Sequence, residues 1–144
     1  MRKWLLGRKC VSSAVRESKL NKSPRTRPAS AGVAFSQPRE SLEHLVERAV
    51  KAYGEGRPAE AYALAHQVIE RDPSEASGYF VRGTVFEQRQ QFDEALADYD
   101  RVVELSANLS FGYDRRGALY FKMGRFGESI QDFDRAIELE PGLE

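Results

Sequence analysis

The chain has 144 residues, with 22 Lys or Arg balanced by 22 Asp or Glu. That neutrality hides an asymmetry: residues 1–40 hold ten bases and two acids, a net of +8, and residues 41–144 hold twelve and twenty, a net of −8. No run approaches the roughly 18 apolar residues of a membrane-spanning helix, and the single Cys10 excludes an internal disulfide.

Residues 1–40 carry Ser23-Pro24, Arg27-Pro28 and Gln37-Pro38 and few large apolar side chains after Leu6. Such a segment cannot repay the ordering entropy of a packed structure, so a disordered basic leader is expected. Its one apolar cluster, Trp4-Leu5-Leu6, is too short for the core of a secretory signal, and Cys10 lacks the small residues that precede a lipidated cysteine. Three readings stay open. The leader is a solvated extension or a mis-set start; it is a mitochondrial targeting segment, being Arg-rich, Ser-rich and acid-poor; or it attaches electrostatically to anionic lipid, nucleic acid or the acidic remainder of the chain. A cytoplasmic location is expected, with mitochondrial import through this segment as the alternative, and membrane contact is expected only through it.

From residue 42 onward the sequence repeats every 34 residues, in units 42–75, 76–109 and 110–143. Each unit holds two helix-length stretches with apolar residues at three- and four-residue spacing. The pattern predicts helices over 42–54 and 58–71, split at Gly54-Glu55-Gly56-Arg57-Pro58; over 76–89 and 92–105, split at Arg89-Gln90-Gln91; and over 110–123 and 126–139, split at Met123-Gly124-Arg125. Glycine there can take the left-handed backbone that ends a helix, and Asp72-Pro73 and Pro141 stop the second helix of the outer units. Matched columns read Leu45, Tyr79, Tyr113; Ala49, Gly83, Gly117; Ala61, Ala95, Ser129; Ala65, Tyr99, Phe133; and Pro73, Ala107, Pro141. Large and small residues alternating at fixed spacing mark stacked helical hairpins, in which small residues admit close approach and aromatics fill the gaps. Tyr79, Tyr99, Tyr113, Phe126 and Phe133 are expected in the core.

These columns resemble the tetratricopeptide repeat. Tyr113, Gly117, Tyr120, Ser129, Phe133, Ala136 and Pro141 fall where that motif places its signature residues, and Tyr79, Gly83, Phe86, Ala95, Tyr99 and Val102 do so in the second unit, with Ala107 in place of the closing Pro. The first unit is degenerate, with Leu45, Ala49, Ala52 and Ala65 for larger residues. The resemblance implies an all-α fold, a superhelix of helical hairpins (an α-solenoid) with three repeats over residues 42–143. It also implies an inner groove lined by the first helix of each pair, which binds a peptide or partner protein. Carried over by position, the lining is Glu43, Val46, Val50 and Tyr53, then Ser77, Phe80, Thr84 and Glu87, then Phe111, Asp114, Ala118 and Phe121.

The subfamily that grips acidic chaperone C-termini uses a clamp of Lys, Asn and Arg. Val46 and Val50 stand where that clamp would begin, with only Arg115 and Lys122 positive nearby, so chaperone tails are not the expected ligand. The apolar residues Val50, Tyr53, Phe80, Phe111 and Phe121 suit an apolar or amphipathic segment held by burial, unless some of them pack between repeats instead.

Nothing points to catalysis, a cofactor or specific nucleic-acid binding. His44 and His66 sit in different stretches with no Ser or Cys at a nucleophile's spacing. Asp98-Tyr99-Asp100 and Asp132-Phe133-Asp134 recur in frame, which suits a repeat better than a metal site. Their acids are expected to face outward and to pair Asp98 with Arg101 and Asp132 with Arg135. The column Arg48, Arg82, Arg116 is expected to pack between repeats or pair with acids. Stopping after the third hairpin without a polar capping helix exposes apolar surface, which favours self-association, a longer parent array, or the basic leader folding back as a cap. The expected function is a non-enzymatic adaptor or scaffold that takes a partner's helix or peptide in its groove, with a self-assembling structural unit as the alternative.

Overall fold

A computed structural model describes residues 38–142. The disordered-leader expectation therefore lies almost wholly outside the described residues, as does the last repeat's Leu143. Six helices follow in order: α1 Leu42–Gly54, α2 Pro58–Arg71, α3 Ala76–Gln88, α4 Phe92–Leu105, α5 Ser110–Lys122 and α6 Phe126–Leu139. Four have the bounds the sequence predicts. The helices α3 and α5 end one residue earlier, because Arg89 and Met123 act as C-caps and lead straight into the turn.

Local chemistry sets the ends. Ser41 caps α1 by accepting the His44 amide at 3.2 Å. Pro58 opens α2, where its missing N–H is not needed. Glu75 caps α3 by accepting the Ser77 amide at 3.0 Å. Within each hairpin the turn needs one residue with positive φ: Gly56 at 71°, Gln90 at 63° and Gly124 at 77°, spaced by the repeat. Only the middle hairpin places a side chain there, in a conformation that costs an L-residue about 1–2 kcal/mol. Gln90→Gly is therefore expected to raise stability by about 0.5–1 kcal/mol after glycine's larger unfolded-state entropy is subtracted, read as a higher urea midpoint at unchanged slope.

Adjacent helices pack as antiparallel hairpins that stack in chain order. The closest approaches occur at glycine: a Cβ on Gly83 would sit 2.9 Å from the Tyr99 ring, and one on Gly117 would sit 3.2 Å from Phe133. One core cluster joins Leu45, Ala49 and Ala52 of α1 to Ala61, Leu64, Ala65 and Val68 of α2 and Val81 and Val85 of α3. A second joins Ala95 and Tyr99 of α4 to Leu119 of α5. Phe80 packs against both clusters.

Two expectations need correction. Of the five aromatics assigned to the core, Tyr79 and Tyr99 are buried and Tyr113 and Phe133 are half-buried, but Phe126 is 56% exposed. Its counterpart Phe92 is half-buried against the cluster of Ala95, Tyr99 and Leu119, the last from the following hairpin, and none of the described residues follows α6 in that way. Asp98 and Asp132 of the two tripeptides also depart from the expected outward pairs, whereas Asp134 is exposed as expected. Asp98 and Asp132 are buried, at 4% and 6% exposure, facing their own hairpin's first helix. Arg82 binds Asp98 through Nε and Nη2 at 2.8 and 2.7 Å, and Arg116 binds Asp132 likewise at 2.7 and 2.8 Å. Arg101 and Arg135 turn instead to Glu104 and Glu138 on the surface. The arginine column thus pairs with acids, as its in-frame recurrence implies, and Arg48 joins it through Glu40.

Candidate functional site

The first helices of the three hairpins, α1, α3 and α5, come together around one pocket of about 220 Å³ lined by Tyr53, Thr84, Glu87, Gln88, Arg115 and Lys122. Tyr53 is contributed by the last turn of α1, Thr84, Glu87 and Gln88 by the second half of α3, and Arg115 and Lys122 by α5. Helical spacing puts Thr84, Glu87 and Gln88 on one side of α3, at i, i+3 and i+4.

A polar network occupies the pocket floor. The Tyr99 hydroxyl, rising from α4, donates to Glu87 Oε2 at 2.8 Å, and Lys122 Nζ donates to Glu87 Oε1, linking the second and third repeats. Burial alone would raise the Glu87 pKa, but its bonds to Lys122 and Tyr99 outweigh this and hold it below the usual carboxylate value. The Tyr99 phenol is pushed far upward by burial and by the Glu87 charge, so it stays a donor. Because the folded-state pKa of Glu87 lies below its unfolded value, its contribution is complete above that unfolded value. It disappears as pH falls through the folded one. Glu87→Gln should accordingly flatten the acid side of the stability profile below about pH 4.5, measured by urea unfolding at stepped pH.

Arg115 contrasts with the other pocket groups. Its Nε is buried and has no hydrogen-bond partner among the described residues, and its guanidinium lies 6.0 Å above the Phe80 ring. The pocket therefore holds two cations and one carboxylate bonded at both oxygens, with donor capacity left on Arg115 among the described residues.

The groove residues expected from sequence divide into three sets. Val50, Phe111 and Phe121 are exposed apolar surface, at 47%, 38% and 61%, with Phe121 edge to face on Phe126 of α6 at 5.4 Å; Glu43 and Asp114 are exposed polar residues. Tyr53 and Glu87 line the pocket itself, while Val46, Ser77, Phe80 and Ala118 are half-buried. Val46 and Phe80 pack on the core, and Phe80 meets Phe111 edge to face at 5.4 Å. Thr84 has 2% exposure, and its hydroxyl donates to the Val81 carbonyl at 2.7 Å, so it gives the pocket a wall but no free polar group.

Sequence reasoning placed Arg115 and Lys122 near the groove but missed Gln88 and the Lys122–Glu87 link. Among the described residues no group of three His, Cys, Asp or Glu is placed to hold a metal ion, and no helix is long and apolar enough to cross a membrane. His44 lies exposed beside Glu40, and His66 stacks on Tyr62.

Comparison with known proteins gives a consistent picture. Two tetratricopeptide repeat family models match, over residues 46–110 and 115–143. No curated protein sequence matches the chain. Among solved structures, the first such domain of Spaghetti (RPAP3), bound to the HSP90 peptide SRMEEVD, is similar at 25% identity and a TM-score of 0.66, over 75% of this chain and 86% of that one. The first such domain of human RPAP3 is similar at 27% identity and a TM-score of 0.65, over 70% and 80%. MamA shares the fold at 19% identity and a TM-score of 0.67, over 80% and 66%.

Proposed function

The chain belongs to the tetratricopeptide repeat family, and from that premise we propose that it is a non-enzymatic adaptor whose α1–α3–α5 groove binds an amphipathic partner segment bearing an acidic side chain. The observation that carries this reading is the pairing of exposed Val50, Phe111 and Phe121 with a pocket in which buried Arg115 Nε has no partner among the described residues. Apolar side chains of the partner would cover the aromatics, and its carboxylate would take the free donors of Arg115 in a charge-assisted bond. Burying one aromatic side chain contributes about 1.5–3 kcal/mol, so the apolar contacts supply most of the binding energy and the ion pair adds selectivity for an acid.

The peptide SRMEEVD bound by the Spaghetti (RPAP3) domain supports a peptide partner that carries acidic side chains. Val46 and Val50 leave the places where a carboxylate clamp would begin without its polar groups, so the acid recognised here is read as an internal side chain rather than a chain terminus.

Selection of peptides from a random display library against the full-length protein tests the reading. The selected peptides should combine two or more large apolar residues with an Asp or Glu. Their affinity, measured by calorimetry, should fall at least tenfold for a Val50→Asp, Phe121→Asp variant, and Arg115→Gln should remove the preference for the acid over its amide. Selection of no peptide, or of peptides indifferent to these changes, would overturn it.

A further inference from the structure

The outer face of α6 repeats, position for position, a face that the array already covers twice. On α2 the cover is α3: a Cβ on Gly78 would lie 2.8 Å from Ile69 Cγ1 and 3.0 Å from Val68 Cγ1, and Tyr62 meets Phe86 edge to face at 5.6 Å. On α4 the cover is α5: a Cβ on Gly112 would lie 3.2 Å from Val102 Cγ1, and Phe92 and Leu96 pack against the cluster that Leu119 of α5 forms with Ala95 and Tyr99. Thirty-four residues beyond Phe92, Leu96 and Val103 stand Phe126, Ile130 and Ile137. These are 56%, 60% and 48% exposed, whereas Val103 is 9% exposed. Large apolar side chains clustered at such exposure mark an interaction surface.

We propose that this face is a second docking site, bordering the groove where Phe126 meets Phe121 edge to face at 5.4 Å, for one amphipathic helix of a partner protein, seated as α3 sits on α2 and α5 on α4. The two covering helices define what fits. Each presents glycine at the close approach and Val85 or Leu119 seven residues later. Charge defines a third feature. Arg116, four residues after Gly112, reaches back to Asp100 on α4 at 2.8 Å; the counterpart of Asp100 on α6 is Asp134, which is exposed. With Glu128, Asp132, Asp134 and Glu138 against Arg135 alone, α6 is acidic. The partner helix therefore carries a glycine or alanine, a base four residues on and a Val or Leu seven residues on.

A second copy of this chain fits the site poorly. Stacked in the same register it would offer α1, which has His44 in place of the glycine and Lys51 in place of Val85 and Leu119. An imidazole would enter where a single carbon is already tight, and an ammonium would be set against Ile130 and Ile137.

The test uses the full-length protein and a labelled peptide of residues 108–123, stapled on its solvent side and shown to be helical by circular dichroism. Fluorescence anisotropy should give saturable one-to-one binding. It should weaken at least tenfold with Ile130→Glu in the protein or Gly112→Leu in the peptide, and it should be unchanged by Val50→Asp in the groove. A helical peptide that fails to bind, or that binds Ile130→Glu equally well, would overturn the proposal. So would sedimentation showing a dimer of the protein that Ile130→Glu dissociates, since the face would then belong to a second copy. Insensitivity to Val50→Asp separates this outcome from that of the groove.

Discussion

Tyr99→Ala is expected to destabilise the array by about 3–5 kcal/mol, the range for removing a fully buried aromatic. Tyr99 has no exposed surface, and its ring fills the space left by Gly83, where even one added carbon would lie 2.9 Å away. Deleting the ring opens a void at the junction of α3 and α4 that the helices cannot close without moving apart. It also removes the hydroxyl that Glu87 accepts. A small domain is held by only about 5–15 kcal/mol in total, so the urea midpoint followed by circular dichroism should fall by a large fraction. Tyr99→Phe separates the two contributions. It keeps the ring and loses one hydrogen bond to a carboxylate that Lys122 still holds, for about 1–2 kcal/mol. If Tyr99→Ala cost no more than Tyr99→Phe, the packing account of this position would be wrong.

The second large effect is expected at Asp98, and comparison with Asp132 makes it specific. Both carboxylates are buried and bound by two nitrogens of an arginine. Breaking such a pair by removing one partner leaves the other charge in a desolvated site and costs about 3–5 kcal/mol. Asp98→Ala leaves Arg82 without its acid, with only the rings of Tyr79 and Phe86 at 5.8 and 5.9 Å. Asp132→Ala leaves Arg116 still bonded to Asp100 at 2.8 Å, so its cost should be smaller by about 1 kcal/mol or more. Equal losses in the two variants would mean that the Asp100 contact contributes nothing. A variant with Arg82→Met and Asp98→Leu together should recover much of the loss, because a well-packed apolar pair can replace a buried ion pair.

Periodicity made most of this fold legible. A 34-residue repeat with breaks at fixed places fixed six helices to within one residue, because the turns, the small-residue columns and the apolar stripes all state the same period. What it misjudged depended on neighbours. Phe126 stands one repeat after half-buried Phe92, which packs on a cluster that the next hairpin completes, and among the described residues no further hairpin covers Phe126. Asp98 and Asp132 look like surface acids when read against their own helix, through Arg101 and Arg135. The period also sets Arg82 and Arg116 sixteen residues before them, and that recurrence is the signal that could have found the pairs. The groove was legible as a set of positions only through the family resemblance. Which of those side chains stay free is a matter of packing: Thr84 turns its hydroxyl to its own helix and Phe80 is drawn between two clusters, whereas Phe121 remains open. The Glu87 network needs three elements at once and leaves no mark in any single stretch of sequence.

The bond from Lys122 to Glu87 joins residues 35 apart, and the Arg71 and Ser110 bonds to Glu40 and Glu140 reach 31 and 30 residues. Each such bond closes only a short loop, so little chain entropy must be surrendered before a contact begins to stabilise. Folds built from near-neighbour contacts assemble in microseconds to milliseconds, and a stacked array can propagate from any nucleus. The first hairpin can therefore settle while later residues are still leaving the ribosome, with each finished hairpin serving as the template on which the next condenses.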